Sequence, residues 1–335
     1  MSKTTMRNAE GLMKRILITG GCGFIGTSLI KDILAENSEG LQIRILDSLL
    51  TGTLEDLSEV CAFKNITSCT NLTNTGVYFI HGDIRDANLL IDSAENVDCI
   101  VHLAANTGVG PSVENPRLDM ESNVCGIFNA LEAARIQKVK KFVFASSGAP
   151  AGEVIPPIHE EMPAHPVSPY GASKLAGEGY CSAYFRTFGV ETVCLRFGNV
   201  YGPRSKHKAS VVAKFIKQAL ANEECIIYGD GTQTRDFIYI TDLIKAIRLS
   251  MNSSVGGEIF QIASGKEYTV DEVAHMIANE LKKYDVHMKI IYSEPRLGDV
   301  KRNYSDTSKA SSILGWKSET ELQEGISKTV SYFRG

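Results

Sequence analysis

Short apolar runs alternate with amphipathic helical patterns over the first two thirds of the chain. The apolar runs predict strands at 15–19, 43–47, 77–82, 99–104, 141–147 and 191–197. The patterns between them predict helices at 24–36, 86–95, 119–137 and 170–188. Because the strand runs are almost continuously apolar, both faces of the sheet should be covered by helices. The pattern therefore predicts an α/β fold with a Rossmann-like, doubly wound parallel sheet.

The pattern changes after Phe197, where loops lengthen and the regular elements shorten. This change predicts a second, smaller α/β domain. The predicted boundaries are a flexible tail at 1–12, a cofactor domain at 13–197 with a return segment at about 236–263, and a substrate domain at 198–235 and 264–335. The stretch 58–76 is polar and aperiodic, which is typical of a surface insertion.

Composition narrows the class of protein. The chain has 335 residues, of which 43% are hydrophobic, so a sizeable core is expected. A net charge of −4 argues against a general nucleic-acid-binding surface. None of the 8 cysteines forms a C-x-x-C pair, and the amino terminus lacks an apolar signal core. We expect a soluble, cytoplasmic protein with reduced thiols, no membrane partner and no metal site.

Three glycines indicate a dinucleotide site. Gly20, Gly23 and Gly26 lie between the first predicted strand and the first predicted helix. There they permit a tight turn, close approach of the backbone to a pyrophosphate, and packing of the helix on the strand. Asp47 ends the second strand, where a carboxylate accepts from ribose hydroxyls and repels a 2′-phosphate, which favours NAD. Asp83, after the third strand, should lie near the adenine.

Tyr170 and Lys174 form a candidate acid/base pair. Their i, i+4 spacing after Ser168-Pro169 places the phenol and the ammonium on one face of a helix. A free tyrosine has a pKa near 10, so we expect the ammonium and an oxidised nicotinamide to lower the pKa of Tyr170. A tyrosine and a lysine at this spacing occur by chance on many solvated helices, so the spacing alone does not identify an active site.

The context of the pair is a resemblance over almost the whole chain. The segments GGCGFIG, HGDI, HLAA, YGASK, RFGNVYGP and GDGTQTRDFIYITD occur in order between about residues 14 and 330. They resemble the extended short-chain dehydrogenase/reductases, specifically nucleotide-sugar epimerases of the UDP-glucose 4-epimerase type. The resemblance implies an NAD-dependent exchange of configuration at C4 of a UDP-hexose, through a 4-keto sugar that turns over and is reduced on its other face. It also implies a nucleotide-sugar-binding C-terminal domain and a homodimer formed through helices 119–137 and 170–188.

The resemblance also implies roles for individual residues. Tyr170 would be the acid/base, Lys174 would bind the nicotinamide ribose, and Ser147 would hydrogen-bond the sugar's C4 oxygen. Asn123 would shape this site. The cofactor contacts implied by the matching motifs are Gly20, Gly23, Phe24, Ile25, Gly26, Asp47, Asp83, Ile84, Ala104 and Lys174. The implied substrate contacts are Ser147, Asn199, Arg235, Arg296 and Asn303.

The residues after Ser147 separate related reactions. In the family, nucleotide-sugar 4,6-dehydratases carry an Asp-Glu pair there, and UDP-glucuronate decarboxylases carry a glutamate. This chain has Gly148 and Ala149, which cannot transfer a proton, so epimerisation is favoured. Pro150-Ala151 replaces the usual Val-Tyr and predicts a differently shaped loop. Asn303 occupies a position where a bulky tyrosine disfavours 2-acetamido sugars, so UDP-GlcNAc and UDP-GalNAc are candidate substrates beside UDP-glucose and UDP-galactose.

Three alternatives remain at this stage. Lys206, His207 and Lys208 follow the RFGNVYGP motif, and one of these cations would suit the carboxylate of a UDP-glucuronate 4-epimerase substrate, or a phosphate. A solvated loop is the simpler interpretation. An NAD(P)H-dependent 4-ketoreductase and a non-catalytic NAD-binding protein would use the same scaffold, although a binding protein need not retain Ser147 and the tyrosine–lysine pair.

Overall fold

The computed structural model describes residues 13–36, 39–208, 210–295 and 300–335. Its strands, numbered β1 to β14 in chain order, are Arg15–Thr19, Gln42–Asp47, Lys64–Ile66, Gly76–His81, Cys99–His102, Lys141–Ser147, Glu191–Phe197, Asn199–Tyr201, Glu224–Tyr228, Thr234–Arg235, Phe237–Tyr239, Glu258–Ile262, Tyr268–Thr269 and Lys289–Ser293. Its α-helices, α1 to α11, are Phe24–Ala35, Leu54–Ser58, Ala87–Ser93, Val109–Glu114, Pro116–Met120, Gly126–Ile136, Pro169–Phe188, Val211–Leu220, Ile240–Asn252, Val270–Lys282 and Leu322–Arg334. Short π-helical turns occupy Glu121–Cys125 and Ala310–Leu314, and a 3-10 turn occupies Ala149–Ala151.

The central sheet has eight strands in the order β12-β7-β6-β5-β1-β2-β4-β3 in the described part of the chain. All neighbouring strands in it are parallel. The six strands predicted from the apolar runs all belong to this sheet, with ends within one or two residues of the prediction. The predicted Rossmann-like α/β fold is therefore confirmed.

Successive residues of each strand point to opposite faces, and both faces are buried. On β1, Ile16 and Ile18 join one apolar cluster with Leu29 of α1, whereas Leu17 joins a second cluster with Ile127 of α6. This division explains why the strand sequences are apolar throughout and do not alternate. The carboxyl ends of the parallel strands consequently meet at one edge of a sheet enclosed by helices.

The polar stretch 58–76, predicted to be a surface insertion, is largely exposed, but it contains a short strand that its sequence does not predict. Its residues Lys64–Ile66 form β3, which extends the sheet by pairing with β4 in parallel. Lys64 and Asn65 are exposed at this outer edge. Three residues are too few to show a period of two, and an edge strand with an exposed face needs no apolar run.

The C-terminal part contains three two-stranded sheets, formed by β8 with β11, β9 with β14, and β10 with β13. The chain also returns to the central sheet, because β12 pairs with β7. Trp316 is fully buried in this part and donates from Nε1 to the Asp242 carbonyl oxygen at 2.8 Å. The division into a cofactor domain and a substrate domain remains our proposal.

Among the described residues, no helix has both the length and the apolar character needed to cross a bilayer.

Candidate active site

The turn between β1 and α1 requires its glycines. Gly20 has a φ of +73°, and a Cβ there would lie 2.7 Å from the backbone nitrogen of Ala104. A Cβ on Gly26 would lie 2.5 Å from the Gly20 carbonyl oxygen. A Cβ on Gly23, by contrast, would approach only that same oxygen, at 3.4 Å. Gly20 and Gly26 therefore serve internal packing, whereas Gly23 leaves space in front of the helix.

The amino terminus of α1 faces this space. Gly23 is the residue before the helix and has no side chain with which to cap it. The first N–H groups of a helix have no intrahelical acceptor, and they carry the positive end of the helix dipole. The backbone at Phe24 and Ile25 is therefore suited to bind a phosphate anion.

Asp47, at the end of β2, is buried beside the glycine turn. Its Oδ2 accepts from the Cys22 backbone N–H at 2.9 Å, and its Oδ1 accepts from that of Leu49 at 2.8 Å. Burial raises the pKa of Asp47 above its ordinary value, against these hydrogen bonds, which lower it. Each carboxylate oxygen can accept a second hydrogen bond, so Asp47 can both fix the turn and bind ribose hydroxyls.

The other predicted cofactor residues lie on the same edge of the sheet. Asp83 accepts from the Nε and Nη2 atoms of Arg85 at 3.0 and 2.7 Å, and this contact holds the pKa of Asp83 below its ordinary value. Its carboxylate is therefore already paired, which the sequence did not indicate. Ile84 is buried against Gly126, and the Ala104 backbone N–H donates to Thr19 Oγ1 at 3.3 Å.

Helix α7 carries the tyrosine and the lysine. Ser168 caps it by accepting from the Gly171 backbone N–H at 3.1 Å, and Pro169 occupies its first position. Lys174 is buried, donates from Nζ to the Ala145 carbonyl oxygen at 2.8 Å, and lies 5.7 Å from the centroid of the Tyr170 ring. The helix therefore brings both groups to the carboxyl end of β6, as the i, i+4 spacing predicts.

Ser147 ends β6, and the chain then turns sharply beside α7. The Ser147 hydroxyl oxygen accepts from the Ala149 backbone N–H at 3.1 Å. Residues Ala149–Ala151 form a 3-10 turn, with Pro150 and Ala151 buried. A Cβ on Gly171 would lie 2.7 Å from the Ala149 carbonyl oxygen, so the turn packs directly on α7. The segment with Pro150-Ala151 in place of the usual Val-Tyr is therefore a buried turn packed beside α7.

Gly148 faces open space, because a Cβ built there has no heavy atom within 4 Å. A larger side chain would consequently fit at this position. An acidic side chain would therefore fit at position 148. Its absence distinguishes this chain from the 4,6-dehydratases by the proton transfers available at the site, and not by the space there.

Asn123 lies at the centre of a buried polar network that the sequence showed only in part. Its Oδ1 accepts from the Asn106 backbone N–H at 2.8 Å, and its Nδ2 donates to Asp119 Oδ1 at 2.9 Å and to Ser173 Oγ at 3.2 Å. Asp119 was missed, although its i, i+4 spacing from Asn123 was a usable signal. The predicted continuous helix 119–137 is interrupted by the π-helical turn that presents Asn123 to this network.

A buried ion pair supports the end of β6 from behind. Glu178 accepts from the Nε and Nη2 atoms of Arg196, each at 2.8 Å. Glu178 also accepts from the Ser146 hydroxyl at 2.6 Å, next to Ser147. The residues come from α7, β7 and β6, so only the tertiary fold brings them together.

Ser147 aside, four substrate contacts are predicted: Asn199, Arg235 and Arg296 at the diphosphate, and Asn303 in the sugar pocket. Three of the four are described, and they lie close together. Asn199 donates from Nδ2 to the Asp236 carbonyl oxygen at 3.2 Å, and Arg235 donates from Nη1 to the Val300 carbonyl oxygen at 2.7 Å. The Asn303 backbone N–H donates to Thr234 Oγ1, next to Arg235, at 3.3 Å. The fourth, Arg296, lies outside the described residues.

Asp236, which the sequence did not single out, holds this region together. It is buried and accepts from the Ser264 hydroxyl at 2.6 Å and from the backbone N–H of Ser305 at 3.1 Å. Burial raises the pKa of Asp236, while these hydrogen bonds act in the opposite direction. The carboxylate thereby ties the segment after β12 to the segment that carries Asn303.

Comparison with known proteins agrees with this geometry. The family model described as GDP-mannose 4,6 dehydratase matches residues 17–329. The chain is 40% identical to the putative UDP-glucose 4-epimerase of Methanocaldococcus jannaschii, over 95% of this chain and 98% of that protein. The chain belongs to the extended short-chain dehydrogenase/reductases. Within that family it is an NAD-dependent nucleotide-sugar 4-epimerase, as the sequence predicted.

Two solved structures of the family are similar over almost their full length. The UDP-glucose 4-epimerase of Thermus thermophilus, in a complex with NAD, has 36% identity and a TM-score of 0.83, covering 96% of this chain and 99% of that one. The UDP-N-acetylglucosamine 4-epimerase of Methanobrevibacter ruminantium, in a complex with UDP-N-acetylmuramic acid, has 31% identity and a TM-score of 0.84, covering 96% and 98%.

The family's cofactor is NAD, and the residues described above fit it. The open backbone at Gly23 suits the pyrophosphate, and Asp47 suits the ribose hydroxyls of a cofactor without a 2′-phosphate. Lys174 lies at the carboxyl edge of the sheet, where this fold places the nicotinamide half. These three features are observed in this chain, so the fit to NAD does not depend on the similarity to other proteins.

Burial is the main influence on the pKa of Tyr170 in the chain itself. Burial raises the pKa of Tyr170 to about 12, an interaction with the Ser147 hydroxyl lowers it, and the negative charge of Asp119 raises it further. The lowering expected from Lys174 together with an oxidised nicotinamide stays a prediction for the NAD-bound chain. In the chain itself the Lys174 ammonium donates to the Ala145 carbonyl oxygen and lies 5.7 Å from the centroid of the Tyr170 ring. Burial lowers the pKa of Lys174 itself to about 8.

The three cations after the RFGNVYGP motif have separate surroundings. Lys206 Nζ lies 2.7 Å from Asp56 Oδ1, and His207 Nε2 lies 3.0 Å from Asp56 Oδ2. Lys208 instead lies over the Phe24 ring, with its Nζ 5.8 Å from the centroid. Lys206 and His207 therefore fix this loop to α2, while both side chains stay partly exposed, as expected for a solvated loop.

Proposed function

We propose that the chain interconverts the C4 epimers of UDP-hexoses with NAD as a resident cofactor, including the pair UDP-GlcNAc and UDP-GalNAc. The observation that carries this proposal is the end of β6. Ser147 and Tyr170 interact there beside Lys174, and the following position, Gly148, is open and without an acid. Such a site can move a proton at one hydroxyl, but it has no second acid to expel another group.

The chain's residues divide the chemistry among them. Tyr170 removes the proton of the 4-hydroxyl, and Ser147 holds the same oxygen through a hydrogen bond. Held beside Lys174, NAD would supply the hydride acceptor for C4 and, after the sugar has turned, the hydride donor. Lys174, protonated below a pKa of about 8, fixes the nicotinamide ribose and supplies positive charge near the phenol. Because burial raises the pKa of Tyr170 to about 12, the phenolate that accepts the 4-hydroxyl proton would depend on the positive charges of Lys174 and of the bound cofactor.

Rotation of the sugar between the two hydride transfers requires that the diphosphate stays fixed. We propose that Asn199, Arg235 and Arg296 hold it, since a guanidinium suits bidentate contact with phosphate. Arg235 is itself held by the carbonyl oxygens of Thr234 and Val300, each 2.7 Å from Nη1. The phosphate site is thereby preorganised.

A panel of UDP-sugars tests the proposed function. The purified protein is incubated with UDP-glucose, UDP-GlcNAc or UDP-glucuronate, without added cofactor, and proton NMR follows the anomeric signals. We expect the C4 epimer of at least one neutral or N-acetylated sugar. Epimerisation of UDP-glucuronate alone would replace the proposed substrate class. Dependence on added NADPH would indicate a ketoreductase, and no turnover would leave an NAD-binding protein.

Asn303 should decide acceptance of the 2-acetamido group. Within the described part of the chain its side-chain amide has no hydrogen-bond partner, and it lies next to Arg235. We expect Asn303→Tyr to lower kcat/KM for UDP-GlcNAc by about 10- to 200-fold, because pocket volume discriminates at this level. The value for UDP-glucose should change much less. Equal losses for both sugars, measured in one coupled assay, would show that Asn303 does not select the sugar.

A homodimer is a further part of the proposal. Among the aromatic residues of α7, Tyr180 and Phe188 are exposed, whereas Tyr184 is buried against Phe128 and Phe188. Phe185 packs on Gly256 and Gly257 within the chain. The exposed part of this face, extended by Phe128, is the proposed contact between two copies. A sedimentation experiment at micromolar concentration that gave the mass of a single chain would contradict this dimer.

The eight free thiols are compatible with the predicted cytoplasmic location.

A further inference from the structure

Residues 203–208, here called the 203–208 loop, join the C-terminal part of the chain to the cofactor side. Lys206 and His207 both bind Asp56 of α2, and Lys206 also lies 3.4 Å from Glu59. Thr53 fixes Asp56 in turn, through a reciprocal cap in which its Oγ1 donates to Asp56 Oδ2 at 2.9 Å. The loop is therefore anchored on the element that follows β2.

The anchor is charged at neutral pH. Burial raises the pKa of Asp56, but hydrogen bonds from Lys206 and Thr53 outweigh it and bring the pKa below its ordinary value. Behind the loop, Lys217 donates from Nζ to the carbonyl oxygens of Lys206 and Lys208, at 2.7 and 3.1 Å. The backbone at Lys208 is thus held in place from the α8 side.

The side chain of Lys208 differs from its neighbours because the described residues provide no carboxylate or carbonyl acceptor for it. Its Nζ lies over the ring of Phe24, the first residue of α1, which directly follows Gly23. Burial lowers the pKa of Lys208 to about 8. The Lys208 side chain is only partly exposed, and the described residues offer it no anion, so its surroundings suit an anionic ligand.

We propose that Lys208 binds a pyrophosphate oxygen of the dinucleotide cofactor, opposite the amino terminus of α1. The loop's anchors, Asp56 and Glu59, and the ring beneath the ammonium all belong to the cofactor side. The residues proposed for the substrate's diphosphate, Asn199 and Arg235, have their own contacts with Asp236 and Val300. Lys208 would make the C-terminal part a component of the cofactor site and slow the release of NAD. This inference rests on the NAD site of the proposed function.

The rate of NAD release tests the inference. Wild-type protein and Lys208→Met are passed through successive gel filtrations, and NAD remaining per chain is measured by chromatography after denaturation. We expect Lys208→Met to lose NAD about 10- to 100-fold faster, since a charge-assisted hydrogen bond to phosphate is removed. Lys208→Arg should retain NAD nearly as well as wild type. UDP binding to the NAD-loaded protein, measured by calorimetry, should not change.

Lys214→Met is the matched control. Lys214 Nζ lies 5.9 Å from the centroid of Tyr228, so it is a lysine with the same aromatic contact as Lys208 at nearly the same distance. It extends from α8 and should have no effect on NAD release. Unchanged release from Lys208→Met would overturn the inference, as would weaker UDP binding with normal NAD release. If Lys208→Met does not fold, the comparison of Lys208→Gln with Lys208→Arg gives the same test.

Failure of this inference and failure of the proposed function give different results. If the wild-type protein epimerises a UDP-sugar and Lys208→Met retains NAD as well as wild type, only the role of Lys208 is disproved. Wild-type protein that binds NAD but converts no UDP-sugar removes the proposed function, and the effect of Lys208 on NAD release still stands.

Discussion

Replacing Tyr170 with phenylalanine is expected to lower the rate of C4 epimerisation by about 10²- to 10⁴-fold, the usual contribution of a positioned acid/base. Phenylalanine keeps the ring beside Lys174 and the buried volume, and it removes only the hydroxyl that interacts with Ser147. The loss should therefore be in kcat, with little change in KM. NMR with the preferred UDP-sugar measures the rate, and chromatography measures bound NAD, which should stay at the wild-type level.

A second tyrosine provides the control for Tyr170→Phe. Tyr284 follows α10, its ring lies 4.0 Å from the Arg334 guanidinium carbon, and it has no contact with the site. Tyr284→Phe should have wild-type kcat. If Tyr170→Phe retained wild-type activity, the acid/base would have to be another group. If it lost NAD together with activity, the phenol would be a binding group and not the proton carrier.

The cofactor side of the site could be predicted because its signals are local. Gly20, Gly23 and Gly26 lie within one turn. Backbone contacts with this turn and with one neighbouring strand require Gly20 and Gly26, and Gly23 leaves the space in front of α1. Tyr170 and Lys174 lie on one helix at a spacing that fixes their common face. In such cases the distance along the chain already gives the distance in space.

The supporting residues could not be predicted because their partners are distant in sequence. Glu178 depends on Arg196 and Ser146, and Asp236 accepts from residues 264 and 305. Before the fold is known, an isolated carboxylate in an apolar segment has no identifiable partner. The rise in the pKa of Tyr170 could not be predicted for a related reason: helical spacing places the ammonium on the right face, but the burial of the phenol depends on the tertiary fold.

Lys208 shows that residues adjacent in sequence can have different surroundings in the fold. In the sequence, Lys206-His207-Lys208 is one basic cluster, and nothing distinguishes the role of one residue from that of the others. The structure separates them, since Asp56 pairs with the first two and Phe24 lies beneath the third. Residues that are adjacent in a loop point in different directions, so charge clustering along the chain does not predict a shared ligand.

Replacing Glu178 with alanine is expected to destabilise the protein by about 3–5 kcal/mol, because it leaves the Arg196 charge buried without its partner. Both side chains are almost fully buried, and their two hydrogen bonds are each 2.8 Å long. Urea unfolding followed by circular dichroism measures the loss. Removing both charges in Glu178→Leu/Arg196→Met should recover most of it, since an apolar pair of similar volume replaces a buried ion pair at little cost.

An exposed pair gives the comparison that separates burial from charge. Glu319 lies 2.8 Å from Lys245 with both side chains largely in solvent, so Glu319→Ala should cost about 0–1 kcal/mol. A similar small loss for Glu178→Ala would contradict the role assigned to the buried pair. Because Glu178 also accepts from Ser146, next to Ser147, the doubly substituted chain should fold yet epimerise more slowly than wild type. Recovery of stability without recovery of kcat would show that the pair orients the end of β6.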